Sequence, residues 1–113
     1  MSQQVDDLTV RWQDNGVDTV LELAKVVLAA SPSWATLAFL ARERDPNTGD
    51  WRAPRVQLRR YKRRGGKWIV DKHFTLTTSA QAMTLIDALS GWFAEGGPGR
   101  VAGTEHDDDG ETP

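Results

Sequence analysis

The sequence predicts an α+β fold: a four-stranded antiparallel β-sheet, then one C-terminal α-helix (ββββα), then a disordered acidic tail. Three observations carry this. Residues 55–76, RVQLRRYKRRGGKWIVDKHFTL, alternate apolar and polar with period two on either side of Gly65-Gly66. That is the signature of two half-buried strands joined by a tight turn. After Leu76 the apolar spacing changes to three and four, which is helical. From Glu95 onward the chain turns acidic and offers little to bury.

Taken in order, residues 1–16 are polar and end in the turn signal Asp14-Asn15-Gly16. They read as a flexible arm, in which Val10 and Trp12 form either a short strand or a docking anchor. Residues 17–30, VDTVLELAKVVLAA, support two assignments. Ala and Leu content favours a helix, whereas Val17, Val20, Val26 and Val27 favour a strand. The reading leans to a bulged strand, because the strands that follow need another partner. Ser31-Pro32-Ser33 breaks the chain. In the next strand, 34–44, Leu37 and Phe39 share one face, and Thr36, Ala38, Leu40, Arg42 and Arg44 share the other. Residues 45–50, DPNTGD, are a loop, and Pro54 keeps 51–54 out of a sheet interior.

In the hairpin, Val56 and Leu58 alternate with Arg55, Gln57 and Arg59. One face therefore reads as apolar and the other as cationic. Trp68, Val70, Phe74 and Leu76 share a parity, which places Trp68 in the core. Thr78 reads as a helix N-cap with Gln81 completing a capping box, and Ala82, Leu85, Ile86, Leu89 and Phe93 form the helix stripe. Gly96-Gly97-Pro98-Gly99 ends it. The domain boundaries are thus an arm at 1–16, a binding domain at 17–95 and an acidic tail at 96–113.

A chain of 113 residues with no cysteine is one domain without a disulfide framework or thiolate metal site. No apolar run approaches a membrane span, and MSQQVDDL lacks the features of a signal peptide. The expectation is a cytoplasmic protein, nucleoid-associated in one version, with no membrane partner. The net charge is −2, but its distribution is uneven. Residues 42–72 carry 11 of the 14 basic residues and sum to +7, between an N-terminal third at −3 and a C-terminal end at −5. That local patch sets the field, whatever the total.

Single-strand binders pair a positive groove with aromatic platforms, because every base has a π face. Arg55, Arg59 and Tyr61 fall on one strand face, away from Val56 and Leu58. Replacing Arg59 or Tyr61 is therefore expected to leave the core intact. Arg60, Lys62, Arg63 and Arg64 crowd the hairpin end, with Lys67 and Lys72 on the returning strand. Trp51 and Arg52 flank the patch, and Arg42 and Arg44 extend it. Five cations in the six residues 59–64 exceed what solubility needs, although Arg-rich strands also serve as solvated faces or edge protection. His73 reads as a sheet-surface histidine. Trp92 and Phe93 read as core or interface residues.

An enzyme is a poor reading. His73 and His106 are the only histidines, and neither a nucleophile elbow nor a GxxxxGK loop occurs. Asp107-Asp108-Asp109 is a poor metal site on a tail, and no cofactor is expected.

Residues 20–93 resemble the positive-cofactor-four family of transcriptional coactivators, including its compact bacterial relatives. The resemblance rests on Val56-Gln57-Leu58-Arg59-Arg60-Tyr61, on Lys72-His73-Phe74-Thr75-Leu76, and on the helix from Thr77 to Leu89. It implies a four-stranded sheet plus helix, a homodimer, and single-stranded DNA or RNA held across the sheets with little sequence preference. The chain departs from the family at His73, where Gly is usual, in the first helical turn, which lacks an aromatic, and in longer segments at 45–50 and 62–71. The alternative is a small interaction module whose basic sheet docks on an acidic partner protein. The two readings separate on poly-dT, which a protein docker ignores.

Overall fold

The computed structural model describes residues 4–100. The chain divides into two compact units, Met1–Ser79 and Ala80–Pro113. The first holds one antiparallel meander with strand order β1-β2-β3-β4-β5. Its strands are β1 (Trp12–Asp14), β2 (Val17–Ala30), β3 (Trp34–Glu43), β4 (Arg55–Arg64) and β5 (Lys67–Leu76). The second unit holds most of α1 (Ser79–Trp92). The α+β class and the antiparallel sheet agree with the sequence, and the sheet has five strands where four were expected. The expected acidic tail lies largely outside the described residues.

The extra strand is the short β1. It pairs with Val17, Asp18 and Val20 through a turn at Asn15 (φ 53) and Gly16 (φ 80). Positive φ at both positions is what a two-residue hairpin turn of matching twist requires. The hairpin at Gly65 (φ 60) and Gly66 (φ 80) repeats it. Residues 17–30 are strand, as the β-branched content argued. Two irregularities, at Leu23 and Leu28, interrupt their pairing with β3.

Register divides the sheet into two faces, because directly opposed residues point the same way. On β3, Ala35, Leu37, Phe39 and Ala41 are all buried, with Leu37 at 0% exposure. They define the inner face. Opposite them on β4 stand Tyr61, Arg59, Gln57 and Arg55. Val56 and Leu58 therefore occupy the outer face and are only half-buried. The sequence placed the core on their side. The inner face wins because the arm covers it: Leu8 and Val10 are buried against Leu37, Phe39, Tyr61 and Trp68 as one core.

That arm was expected to be flexible, and its described part is instead folded onto the sheet. A single turn at Val5–Asp7 starts it, where the Gln4 N–H donates to Asp7 Oδ2 at 3.1 Å. The Lys25 ammonium donates to the carbonyls of Asp6 (2.6 Å) and Leu8 (2.8 Å). Thr9 Oγ1 donates to Glu22 at 2.6 Å. Lys25 and Glu22 thus turn from the strand to hold the arm.

A bulge corrects the reading of β5. Arg60 pairs with Lys72 but Tyr61 pairs with Val70, so Asp71 is an extra residue on β5. An extra residue reverses parity beyond it. Trp68 and Val70 consequently share the inner face with Tyr61, while Phe74 and Leu76 join Leu58 and Val56 on the outer face. Trp68 is a core residue as expected, at 7% exposure.

The helix begins directly after Thr78, where the capping signal placed it, and contains no buried residue. Past it, the Gly97 N–H donates to the Ala94 carbonyl and the Gly99 N–H to the Trp92 carbonyl. A Cβ on Gly97 would lie 2.5 Å from the Gly91 oxygen, so this return needs glycine.

Candidate functional site

The inner face is only partly filled by the core. Towards β5 the arm and the sheet leave a groove of about 650 Å³. Its floor is a block of four polar side chains from two neighbouring strands. Gln57 stands directly opposite Thr75, and Arg59 directly opposite His73. Its wall is the arm from Thr9 to Trp12, and Val20 and Glu43 complete the lining. The period of two along β4 puts Arg55, Gln57, Arg59, Tyr61 and Arg63 in one row. Arg55, Arg59 and Arg63 then recur about every 13 Å along the strand.

Two features mark the groove as a candidate site. The Arg59 guanidinium lines it, set against the buried Tyr61 phenol. Trp12 lines the same groove yet is 66% exposed, a large aromatic presented to solvent. The wall is fixed from behind. Arg11 donates to Asp18 at 3.2 Å and Gln13 to the same oxygen at 2.9 Å. The Gln13 amide and, after it, the Arg11 guanidinium hold the Asp18 carboxyl below its ordinary pKa. Glu43 places one carboxylate in the lining, against the guanidinium groups of Arg11 and Arg59.

The structure brings together only some of the residues the sequence selected. Arg55, Arg59 and Arg63 lie in the groove row, and the Arg63 guanidinium rests 4.8 Å from the Trp68 ring centroid. Tyr61 is in the row but is 3% exposed and part of the core. It is therefore no stacking platform, and its replacement does not leave the core intact. Burial pushes the Tyr61 phenol above its ordinary pKa, with the neighbouring Arg59 guanidinium opposing the shift. Its hydroxyl is shut off from solvent beside the Arg59 guanidinium.

Arg42, Arg44, Trp51 and Arg52 serve the 45–52 loop instead. Arg42 donates to the Arg52 carbonyl at 2.8 Å, and Arg44 donates to the carbonyls of Asp18 (3.0 Å) and Gly49 (2.8 Å). Arg44 also stacks on Trp51, 4.3 Å from the ring centroid. Arg52 reaches Asp45 at 3.8 Å. Lys62, Arg64, Lys67 and Lys72 belong by register to the outer face.

Comparison with protein-family models, curated proteins and solved structures finds no match to this chain.

Trp12, Gln57, His73 and Thr75 were not among the selected residues. Gln57, His73 and Thr75 become visible once β4 and β5 are paired with the bulge at Asp71. Trp12 becomes visible once Asn15-Gly16 is read as a hairpin turn, which carries residues 9–14 back across the sheet.

Proposed function

We propose that this chain binds single-stranded nucleic acid, DNA or RNA, without catalysis and with little sequence preference, in the inner-face groove. One observation carries the reading: an exposed indole, Trp12, shares a groove with the guanidinium of Arg59. A base stacks on the indole and a phosphate accepts from the guanidinium, the two contacts that single-strand binders combine. Arg55 and Arg63 extend the phosphate track along β4. Gln57, His73 and Thr75 offer donors and acceptors to either sugar or base. The resemblance of residues 20–93 to the positive-cofactor-four family supports the same reading.

We also propose a symmetric homodimer. Val26 (54%) and Leu40 (36%) are exposed on the outer face beside a shallow apolar pocket, and Ile86 (51%) and Phe93 (55%) are exposed on the helix. Apolar surface of this kind marks an interface.

The test is fluorescence polarisation with labelled oligo-dT and oligo-rU at several salt concentrations. Trp12→Ala should weaken binding by ~1–3 kcal/mol with the salt slope unchanged, because a platform is lost and no charge. Arg59→Gln should lower the slope by ~0.7, one phosphate contact on a single strand. If the folded wild-type chain ignores both oligomers at low salt, the reading fails, and docking on an acidic partner protein takes its place.

A further inference from the structure

On the outer face, the β4–β5 register sets cations directly against cations. Arg60 stands opposite Lys72, and Arg64 opposite Lys67, with Lys62 between them opposite Ile69. Like charges directly opposed across strands destabilise a sheet. Little relieves them here. Asp71 reaches Lys62 at 3.8 Å, and among the described residues none of Arg60, Lys72, Arg64 and Lys67 makes an ion pair. Arg60 is held out over the face, its guanidinium 4.2 Å from the Trp34 ring centroid. Beside Lys72, Phe74 is 63% exposed.

Edge protection needs one charge in such a strand, not two facing rows. The arrangement is costly for a free sheet and favourable for one that carries a polyanion. It also meets the inner-face row of β4 at the hairpin tip. Arg63 on the inner face and Arg64 on the outer are consecutive, and the chain then turns through Gly65-Gly66, which have no side chains to block passage.

We infer that the outer face of the β4–β5 hairpin is a second phosphate-binding site, filled by the same single strand after it leaves the inner groove and rounds the hairpin tip. Arg64 and Lys67 meet the strand at the tip, and Lys62, Arg60 and Lys72 carry it back along the face. This rests on the groove reading above, and length dependence separates the two. An oligo-dT of ~6 nucleotides fills the groove alone, and one of ~20 exceeds a single-domain site of ~4–16 nucleotides and reaches the outer face.

The experiment compares wild type, Lys72→Gln and the triple variant Arg64→Gln/Lys67→Gln/Lys72→Gln on both oligomers, with melting temperatures recorded alongside. The triple variant should bind the short oligomer as wild type does. On the long one its salt slope should fall by about 2, so that on the order of 20-fold of the affinity loss between 50 and 200 mM salt disappears. Unliganded, both variants should melt at or above the wild-type temperature, because opposed charges have been removed. A wild-type slope for the triple variant on the long oligomer overturns the second site and leaves the groove standing. Equal losses on both lengths also overturn it, since the cations would then belong to one common site. No binding of either oligomer by wild type removes the groove reading and this one together.

Discussion

Tyr61 is the residue at which the structure and a simple parity argument part most sharply, and two substitutions there give very unequal outcomes. The side chain is 3% exposed among Leu37, Trp68, Leu8 and Val10. Tyr61→Ala empties an aromatic's volume from this core, which costs ~3–5 kcal/mol. For a domain whose whole stability is ~5–15 kcal/mol, that is a large fraction. Tyr61→Phe keeps the ring and its packing and removes only the buried hydroxyl beside the Arg59 guanidinium. That change is worth at most about one hydrogen bond, ~0.5–1.5 kcal/mol. At ~4–8 °C per kcal/mol the melting temperature should stay within several degrees of wild type, well above that of Tyr61→Ala. The alkaline limb gives a second readout. Burial raises the folded-state pKa of Tyr61 above the ordinary 10.0. The unfolded chain then releases its proton first, so this contribution is full below pH ~10 and is lost as pH rises through the folded value. Tyr61 is the one tyrosine in the chain, so Tyr61→Phe removes that loss cleanly. Calorimetry of the three proteins between pH 7 and ~11 decides it. A Tyr61→Ala protein that melts with wild type would place the ring outside the core, and a Tyr61→Phe protein that melts as low as Tyr61→Ala would mean that the ring's packing is not what holds it.

Two further outcomes follow from the groove's supports. Lys25→Gln removes the ammonium that holds the carbonyls of Asp6 and Leu8; charge-assisted hydrogen bonds are worth ~1.5–3 kcal/mol, and hydrogen exchange in residues 5–11 should accelerate well before the sheet's does. The Asp45 carboxyl is held below its ordinary 3.8 by the Asn47 backbone N–H, then by the Thr48 N–H and Arg52. Its contribution is present above pH ~4 and lost as pH falls through the lower folded value, so exchange in the 45–50 loop should rise on acidification in wild type and respond less in Asp45→Asn.

The period of two in residues 34–43 and 55–76, and its change to three and four after Leu76, made three strands and the helix legible almost to their ends. β-branched residues were enough to favour a strand at 17–30. What parity could not supply was which face is covered. β3 is apolar on both parities, with Leu37 and Phe39 on one side and Ala38 and Leu40 on the other, so the choice falls to whatever packs on it. That partner is the arm, whose Leu8 and Val10 sit in a polar stretch with no strong local pattern. The bulge at Asp71 is silent in sequence as well, and it moved Phe74 and Leu76 away from Trp68. The candidate site inherits both effects. The cationic strand was found, but its twelve selected residues divide between a groove, a loop support and the opposite face. Trp12, the groove's aromatic, lay on the segment assigned to a flexible arm.

The groove claim is tested most directly by the tryptophan indole N–H resonances. The chain has five tryptophans, and in a 15N-labelled protein each gives a separate side-chain signal. On titration with a ~6-nucleotide oligo-dT, the Trp12 signal should shift or broaden with saturation. The Trp34 signal, from a ring on the outer face beneath Arg60, should hold its position. A titration in which polarisation reports binding while the Trp12 signal stays fixed would contradict the account.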